Sequence, residues 1–479
     1  MQKTLLNTFR YRKESGYGGD YGAYGKNVIS KSRYYYSENI LKDELVVNLR
    51  ARFLAIAIFL FYFIENGTLG LIPQKLYIVY RNMRISDLIL YGLVIYSLLN
   101  IREYKDLFKS RAFFIVKLML VYFLFEFSIS AIRYGFNPIE YFFRLKGLWT
   151  SFLIFPFMLL LKRNGLTFLI KIILPFAVIA NILYIITALT GIPLSPDVSI
   201  IRQKLPGDLE VFRVYGSTFY GEMFLFGLIY YWTSKKFKVG QIFLVILFII
   251  PHILAFSRLG WARIAFIILL IFAVNFFKKK EFKVLLKQAV VFVIVTFAIL
   301  IAFIKIIPES DYYYDAIKAR IFQGQEDVKY SEGTYGARVI TQNEALLRLW
   351  SNSDILIGIG MHPMWVVAPE SREEMLYYSA FCDVGWPSVL AAYGLIGFIL
   401  ALTIQIYYSI LSFKIIKCSP HGLHFFLITM LLAKLLFDSL INFSYMFLSV
   451  GLWGMFSMLN FYIPILVYNY EKLRNEGKL

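Results

Sequence analysis

The residues most able to do chemistry lie in one polar stretch, 336–397, inside an otherwise apolar second half of the chain. Asp383 stands there directly before a long apolar run that begins VGWPSVLAAYGLIG. A carboxylate at the mouth of a helix can accept a proton from a hydroxyl group. It can equally cap the helix N-terminus, where Asp is a preferred residue. The two roles are compatible, because a capping carboxylate can remain ionised and accessible.

Basic residues form a second group of candidates, and they recur in the segments between the apolar runs. A guanidinium holds two phosphate or carboxylate oxygens at once, which favours an anionic ligand at a membrane surface. Some of these side chains can instead extend to lipid headgroups. Arg338 is distinct, because a cation at the start of a helix opposes the helix dipole and does not stabilise it. The full set is Arg133, Arg144, Lys146, Arg202, Lys204, Arg213, Arg258, Arg263, Arg320, Arg338 and Arg348.

Composition assigns these residues to a membrane protein. Of 479 residues, 59% are hydrophobic and 18% aromatic, and the mean hydropathy is +0.62. Soluble domains are about half apolar. The two cysteines are too few for a disulfide framework and lack the spacing of a metal site or redox pair. The net charge of +19 suits basic cytoplasmic loops, so we expect no nucleic-acid partner.

The predicted fold is an all-α polytopic membrane protein with about twelve transmembrane helices, each of about 20 mainly apolar residues. The first span is the weakest, since Glu65, Asn66 and Gly67 interrupt it. We expect a largely disordered cytoplasmic tail at 1–48, nine spans in 49–307, an external loop at 308–382, three spans in 383–468 and a cytoplasmic tail at 469–479. The predicted span centres are Phe59, Val94, Val121, Phe155, Ala180, Phe226, Leu247, Leu269, Val295, Ile396, Leu431 and Met455.

Alternating these spans across the membrane tests the rule that short basic loops are cytoplasmic. One set of loops holds the basic segments 102–111, 162–163, 235–238, 278–287 and 414–417 together with both termini. This set should be cytoplasmic. The other set, which should face outwards, holds the 65–85, 133–146 and 191–215 loops, the turn at Ser257 and Arg258, and segment 308–382.

The predicted external loop contains two amphipathic helices. In the first, Tyr314, Ile317 and Ile321 recur at spacings of three and four, which indicates an interfacial helix lying on the bilayer. A polar linker is predicted at 324–336. The second helix, 337–352, has Val339, Asn343, Leu346 and Trp350 on one face and ends in a turn that contains Gly358 and Gly360.

Several short motifs occur together in the order of a known family. Ser257, Arg258, Leu259 and Gly260 open a helix after a short external turn. Arg320 and Arg338 precede LIGIG at 356–360, and the next helix carries YGLIG at 393–397. In this order, with about twelve spans and one large loop, the chain resembles the O-antigen polymerase and O-antigen ligase superfamily. These bacterial membrane glycosyltransferases act on glycans carried by undecaprenyl diphosphate.

One departure from that family indicates which of its branches, polymerase or ligase, the chain resembles more. Ligase-like members carry a His-Asn pair eleven residues before the glycine that Gly394 matches, and that histidine is regarded as the catalytic base. Here the position holds Asp383. The resemblance therefore favours the polymerase branch over the ligase branch, with His362 in the loop as a less favoured base.

The resemblance implies transfer of a growing glycan to the hydroxyl of an incoming lipid-linked repeat unit, outside the plasma (inner) membrane. Asp383 would be the base, and Arg213, Arg258, Arg320 and Arg338 would bind the diphosphate. Arg144 and Arg348 are further candidates. We expect no metal and no cofactor, because no Asp-x-Asp signature lies in the external segments. The partners would be the undecaprenyl-diphosphate-linked oligosaccharide, membrane lipid, a chain-length regulator and a flippase.

The main alternative is a flippase or transporter for the same kind of anionic lipid. Ionisable residues inside predicted spans would favour it. They are Glu126, Glu222, Lys305, and Lys434 with Asp438, which can pair at a spacing of four. The large external loop and the lack of duplicated halves favour the enzyme. A structural membrane scaffold is the third hypothesis, and it would have no need of so many arginines on one face.

Overall fold

A computed structural model gives the structure of the chain. It describes residues 48–65, 74–80, 83–133, 149–192, 199–205, 209–215, 224–225, 227–229, 239–279, 290, 294, 310–330, 336, 339–340, 343, 346–347, 355–358, 386–418, 422–441 and 458–479. The predicted tail at 1–48 lies outside these ranges except for Asn48.

The described residues are mostly helical, as predicted. The helices are α1 (Leu49–Glu65), α2 (Ile85–Leu99), α3 (Lys105–Lys109), α4 (Arg111–Arg133), α5 (Ile154–Lys162), α6 (Leu166–Thr190), α7 (Val239–Leu254), α8 (Arg258–Lys279), α9 (Ser310–Tyr330), α10 (Trp386–Cys418), α11 (Leu423–Ile441) and α12 (Ile463–Asn475). The strands are β1 (Ile78–Tyr80), β2 (Met83–Arg84), β3 (Ser199–Leu205) and β4 (Leu209–Tyr215). Short helical turns occur at Gln74–Tyr77, Ile101–Glu103, Ser151–Leu153 and Met458–Tyr462.

Three described helices are long and apolar enough to cross a membrane. They are Arg111–Arg133, Leu166–Thr190 and Tyr393–Cys418, with 23, 25 and 26 residues. Nine of the twelve predicted span centres fall in labelled helices, whereas Phe226, Val295 and Met455 lie outside the described residues. Several of these nine helices are shorter than a spanning helix. The prediction of twelve spans is therefore not confirmed.

Two antiparallel hairpins correct the prediction of an all-α fold. The larger pairs β3 with β4 in unbroken register, from Ser199 opposite Tyr215 to Leu205 opposite Leu209. Val211 and Val214 are both buried, and because they are three positions apart they lie on opposite faces of β4. The smaller hairpin pairs β1 with β2.

The first helix ends where the sequence placed its interruption. Glu65 is the last residue of α1 and is buried. Its carboxylate accepts hydrogen bonds from the Ser86 hydroxyl and, at 3.5 Å, from the Arg84 guanidinium. These contacts satisfy a buried charge. The interruption is therefore a helix end tied to the start of α2.

Among the described residues, the largest of three apolar clusters is formed mainly by α1, α2, α4, α5, α6, α10, α11 and α12. Every residue of α5 from Ile154 to Leu161 is buried, which is expected of a helix that is apolar on all sides. Phe157 of α5 meets Phe461 edge to face at 5.5 Å. The predicted tail boundary at 469 falls inside α12, whose Asn469 bonds to the Nδ1 of His424 at 3.0 Å.

A polar cluster joins the α2–α3 connection to the end of α5. Arg163 donates to both carboxylate oxygens of Glu103, at 2.7 Å each, and to the hydroxyl of Tyr96 at 2.9 Å. Lys162 bonds to Asp106 beside it. The bidentate geometry is the strong form of an arginine–carboxylate pair. The hydrogen bond from Arg163 lowers the pKa of Glu103 below its ordinary 4.5.

The lowered pKa predicts how this cluster responds to pH. A carboxyl group whose pKa is lower in the folded state stabilises the fold above its ordinary pKa, and this contribution is lost as the pH falls through the folded value. Glu103→Gln should therefore lower the melting temperature of the purified protein at pH 7. The difference from the parent should shrink as the pH falls below 4.5.

Glu476→Gln is the matched control. The pKa of Glu476 is also lowered, by the Lys478 side chain, but that pair lies exposed near the end of the chain. Its loss should leave the melting temperature unchanged within error, because exposed pairs contribute about 0–1 kcal/mol. An equal effect of the two substitutions would contradict the assignment.

Candidate functional site

The described residues include three of the predicted site residues, Arg213, Arg258 and Arg320. The others lie outside the described residues: Arg338, Asp383, His362, Arg348 and Arg144. The geometry of the site is therefore built from the three arginines and from the segments that contact them.

The three arginines meet at the turn between α7 and α8. Phe256 in this turn is fully buried and has a positive φ of 48°. The Ser257 hydroxyl accepts a hydrogen bond from the backbone N–H of Gly260 at 3.2 Å. This is the N-cap arrangement that begins a helix. The prediction that Ser257 to Gly260 opens a helix after a short turn is confirmed.

Two of the arginines bind the carbonyl groups that follow α7. Arg213 donates through Nε to the Ala255 carbonyl oxygen, and Arg320 donates through Nε to the Phe256 carbonyl oxygen, both at 3.2 Å. Carbonyl groups at a helix C-terminus have no partner inside the helix and carry partial negative charge. The two guanidinium groups satisfy them, so both arginines have a structural role.

Side-chain amides hold both guanidiniums in place. Arg213 donates to Oε1 of Gln203 on the paired strand at 3.3 Å, and Arg320 donates to Oε1 of Gln323 at 2.6 Å. Arg320 is only 6% exposed. A ligand on this side of the turn can therefore reach Arg320 only after the surrounding side chains move.

Arg258 differs from the other two because its partner is a charged side chain. Its guanidinium donates to Oδ2 of Asp327 at 2.8 Å, and 28% of its side chain is exposed against 10% for Asp327. Arg258 begins α8, where the helix dipole opposes a cation. The Asp327 carboxylate offsets that cost. Of this ion pair, Arg258 is the more accessible to an anion.

The face of α9 that builds this corner differs from the face predicted to be apolar. Ala316, Arg320 and Asp327 are buried, whereas Tyr314 and Ile321 are 59% and 49% exposed. The helix therefore packs against the turn and the hairpin on a face next to the predicted stripe. Tyr314 and Ile321 remain on the exposed side, where an interfacial helix would carry them.

The predicted linker at 324–336 is corrected in part. Helix α9 continues through Asp327 to Tyr330. The ion pair to Arg258 stabilises this polar extension. Gly336, the last residue of that linker, is helical as well. The described residues of the second predicted helix, Val339, Ile340, Asn343, Leu346 and Leu347, are all helical.

A second junction joins the LIGIG and YGLIG motifs. Gly394 interrupts α10 with φ 60° and ψ −167°, a conformation open only to glycine. The N–H of Leu395 donates to the Ile355 carbonyl at 2.8 Å, and the N–H of Ile396 donates to the Leu356 carbonyl at 3.2 Å. A Cβ atom at Gly394 would lie 2.4 Å from the Leu356 carbonyl carbon. Glycine is therefore required where these backbones meet.

Helix α4 ties both sides of this junction. Arg133, one of the predicted anion-binding set, donates to the Gly358 carbonyl oxygen at 2.8 Å. The Tyr122 hydroxyl donates to the Tyr393 carbonyl oxygen at 2.7 Å.

The sequence carried no separate signal for Tyr122. For Asp327 there was a signal in the residue spacing. Ala316, Arg320, Gln323 and Asp327 follow one another at spacings of four, three and four, which places them on one helix face.

The ionisable residues that would favour a transporter lie in different places. Glu126 is fully buried on α4, one turn from Tyr122. The Lys434 ammonium lies 5.9 Å from the centre of the Tyr462 ring. Glu222, Lys305 and the side chain of Asp438 lie outside what the structure describes. The predicted Lys434–Asp438 ion pair therefore stays a prediction.

Comparison of the chain with models of known protein families finds no match, and comparison with curated proteins finds none. Within the described part of the chain, no group of three or more His, Cys, Asp or Glu side chains could hold a metal ion.

The Arg258–Asp327 pair is testable by a double-mutant cycle. Asp327→Asn should lower the free energy of unfolding by roughly 1–3 kcal/mol, because it leaves a half-buried cation without its carboxylate. Combined with Arg258→Gln, the two effects should be non-additive by about 1 kcal/mol. Denaturant unfolding in detergent measures both.

The exposed Lys204–Glu210 pair, at 4.0 Å, serves as the control cycle. Its coupling should not exceed about 0.5 kcal/mol. Additive effects of Asp327→Asn and Arg258→Gln would contradict the ion pair.

The junction at Gly394 predicts a large difference between two glycine substitutions. Gly394→Ala should lower the free energy of unfolding by about 2–4 kcal/mol, because it adds backbone strain and a clash with backbone atoms that cannot yield. Gly92→Ala, in α2, meets nothing within 4 Å. It should be neutral or stabilising by up to about 1 kcal/mol. Equal stability of the two variants in detergent unfolding would exclude the junction.

Proposed function

We propose that the chain is a membrane glycosyltransferase that polymerises oligosaccharide repeat units carried on undecaprenyl diphosphate. The observation that carries the proposal is the meeting of Arg213, Arg258 and Arg320 at one turn. These arginines come from three separate segments, and all three are among the diphosphate ligands predicted from the sequence. A helical fold with apolar helices long enough to cross a membrane agrees with a lipid-linked substrate.

The proposed topology has twelve spans, with both termini cytoplasmic and segment 308–382 outside. Contacts between segments assigned to the outer side support it. The Arg213 strand and α9 both contact the turn at 255–258, and Arg133 contacts Gly358. On the proposed cytoplasmic side, the 102–111 segment contacts Lys162 and Arg163.

In the proposed reaction, the hydroxyl oxygen of the incoming unit forms a bond to the anomeric carbon of the growing glycan. The bond from that carbon to the lipid diphosphate breaks, and the diphosphate leaves with the electron pair. Asp383 accepts the hydroxyl proton, a contribution of about 10²- to 10⁴-fold for a positioned base. His362 is the alternative base.

The arginines stabilise the charge that develops on the departing diphosphate. Fixed cations are effective here because they need no reorganisation as charge develops. Of the three described arginines, Arg258 is the best placed to bind the diphosphate, because a phosphate oxygen can replace the Asp327 carboxylate as its hydrogen-bond acceptor. Arg213 and Arg320, bound to carbonyl oxygens, hold the turn and add positive potential. Arg338 completes the proposed set, with Arg144 and Arg348 as further candidates.

Two other functions are alternatives within the proposal. A ligase would transfer the same glycan to a different acceptor. A flippase would move the lipid without chemistry, and the described residues that favour it are Lys434 and the buried Glu126. An ionisable group inside a spanning helix often marks a transport pathway.

Reconstitution with a synthetic undecaprenyl-diphosphate repeat unit separates these functions. We expect elongated lipid-linked glycan in proteoliposomes, resolved by gel electrophoresis. Arg338→Ala should abolish chain growth while leaving membrane insertion intact, since it removes a diphosphate ligand. Arg474→Ala, in a local pair with Glu471 near the end of the chain, should retain full activity.

Other results would reject parts of the proposal. Full-length polymer from Arg338→Ala would exclude that residue from the site. Translocation without elongation would indicate a flippase. Loss of activity in EDTA with recovery in Mg²⁺ would contradict the metal-independent mechanism.

A further inference from the structure

Segment 355–358 has an unusual place in the structure, because it binds to a break inside a long apolar helix. It lies in the chain between the predicted helix that carries Arg338 and the predicted base, Asp383. Asp383 in turn precedes the first residue of α10, Trp386, by three positions.

The break at Gly394 is a bound junction and is not an anion site. The start of a helix offers unpaired N–H groups that commonly bind phosphate. Here the N–H groups of Leu395 and Ile396 already bind the Ile355 and Leu356 carbonyls, at 2.8 and 3.2 Å. Irregular backbone at membrane depth is tolerated where protein groups satisfy it. The contacts therefore hold the two segments together.

Two side chains of α4 complete the junction, and each bonds to one of the two backbone segments that meet there. Tyr122 bonds to the Tyr393 carbonyl, the last before the break, and Arg133 bonds to the Gly358 carbonyl. Tyr122 is partly buried, and Tyr393 is 4% exposed. Gly397 lies against the same tyrosine, since a Cβ there would be 3.1 Å from a ring carbon of Tyr122. Three chain segments are thus joined at one point.

We propose that this junction is the anchor that positions the polar segment for glycan transfer, with Tyr122 and Arg133 as positioning residues. The proposal rests on the proposed function for its catalytic consequence. The part of α10 before the break, 386–393, is about 12 Å long at 1.5 Å per residue. The break at Gly394 lets this part take a direction different from that of the rest of α10, and the bond from Tyr122 holds its last carbonyl. The anchor therefore fixes the helix mouth that Asp383 precedes.

The structure supplies a matched pair of substitutions. Tyr122 of α4 bonds to a carbonyl of α10, and Tyr408 of α10 bonds to the Ala112 carbonyl of α4, each at 2.7 Å. Tyr122→Phe and Tyr408→Phe each remove one hydroxyl and one bond between the same two helices. Only the first touches the anchor.

The first measurement is amide hydrogen exchange of the full-length protein in detergent. Tyr122→Phe should raise the exchange rates of the Leu395 and Ile396 amides by about tenfold, which corresponds to about 1.4 kcal/mol of lost protection. Tyr408→Phe should leave both rates within about twofold of the parent, since its bond lies outside the anchor. Equal rates in the two variants would overturn the anchor.

The second measurement is steady-state elongation of the synthetic lipid-linked repeat. Tyr122→Phe should lower kcat by about fivefold to tenfold with KM within about twofold, because the anchor aligns reacting groups and does not bind substrate. Tyr408→Phe should change neither. Faster exchange with unchanged kcat would overturn the positioning role. Absence of elongation by the parent would reject the proposed function, whereas the exchange result would still report on the anchor.

Discussion

Backbone carbonyl groups at breaks in regular structure constrain this protein more than any single side-chain pair. A carbonyl shut away from water must be hydrogen-bonded, and the cost of leaving it unbonded is high in an apolar fold. The turn after α7 is bonded by Arg213 and Arg320, and the junction at Gly394 is bonded by Tyr122 and Arg133. Long side chains from distant segments therefore donate hydrogen bonds to the carbonyl groups at each irregularity, and these bonds join the segments.

This constraint divides the arginines between structural roles and roles in binding an anion. A guanidinium has five donors and no acceptor, so it can bind a carbonyl with one edge and keep others for an anion. Arg320, almost fully buried, acts mainly on the fold. Arg258 pairs with a carboxylate instead, and a phosphate can compete with a carboxylate for the same fork. One corner of the molecule thus combines two arginines bound to carbonyl groups with a third whose partner is a carboxylate.

Hydropathy predicted where most helices lie, because an apolar run of the right length has few alternatives in a chain this apolar. The β3–β4 hairpin was not predicted, although Pro206, Gly207 and Asp208 are turn-forming residue types, because the 191–215 segment was interpreted as a loop between two spans. The length of α9 was missed because its last turn depends on Asp327 pairing with Arg258, 69 positions away. The break in α10 had no local signal beyond its glycine, because it requires the backbone of 355–358.

The junction at Gly394 explains physically why the LIGIG and YGLIG motifs contain glycine. Gly394 accommodates the Leu356 backbone, and the residues around Gly358 present the carbonyls that bond α10 and Arg133. These glycines are required by the close approach of two backbone segments and have no part in a chemical step. The motifs therefore identify where two backbone segments meet, whereas the proposed chemistry is assigned to Arg338 and Asp383, which lie to either side of LIGIG in the sequence.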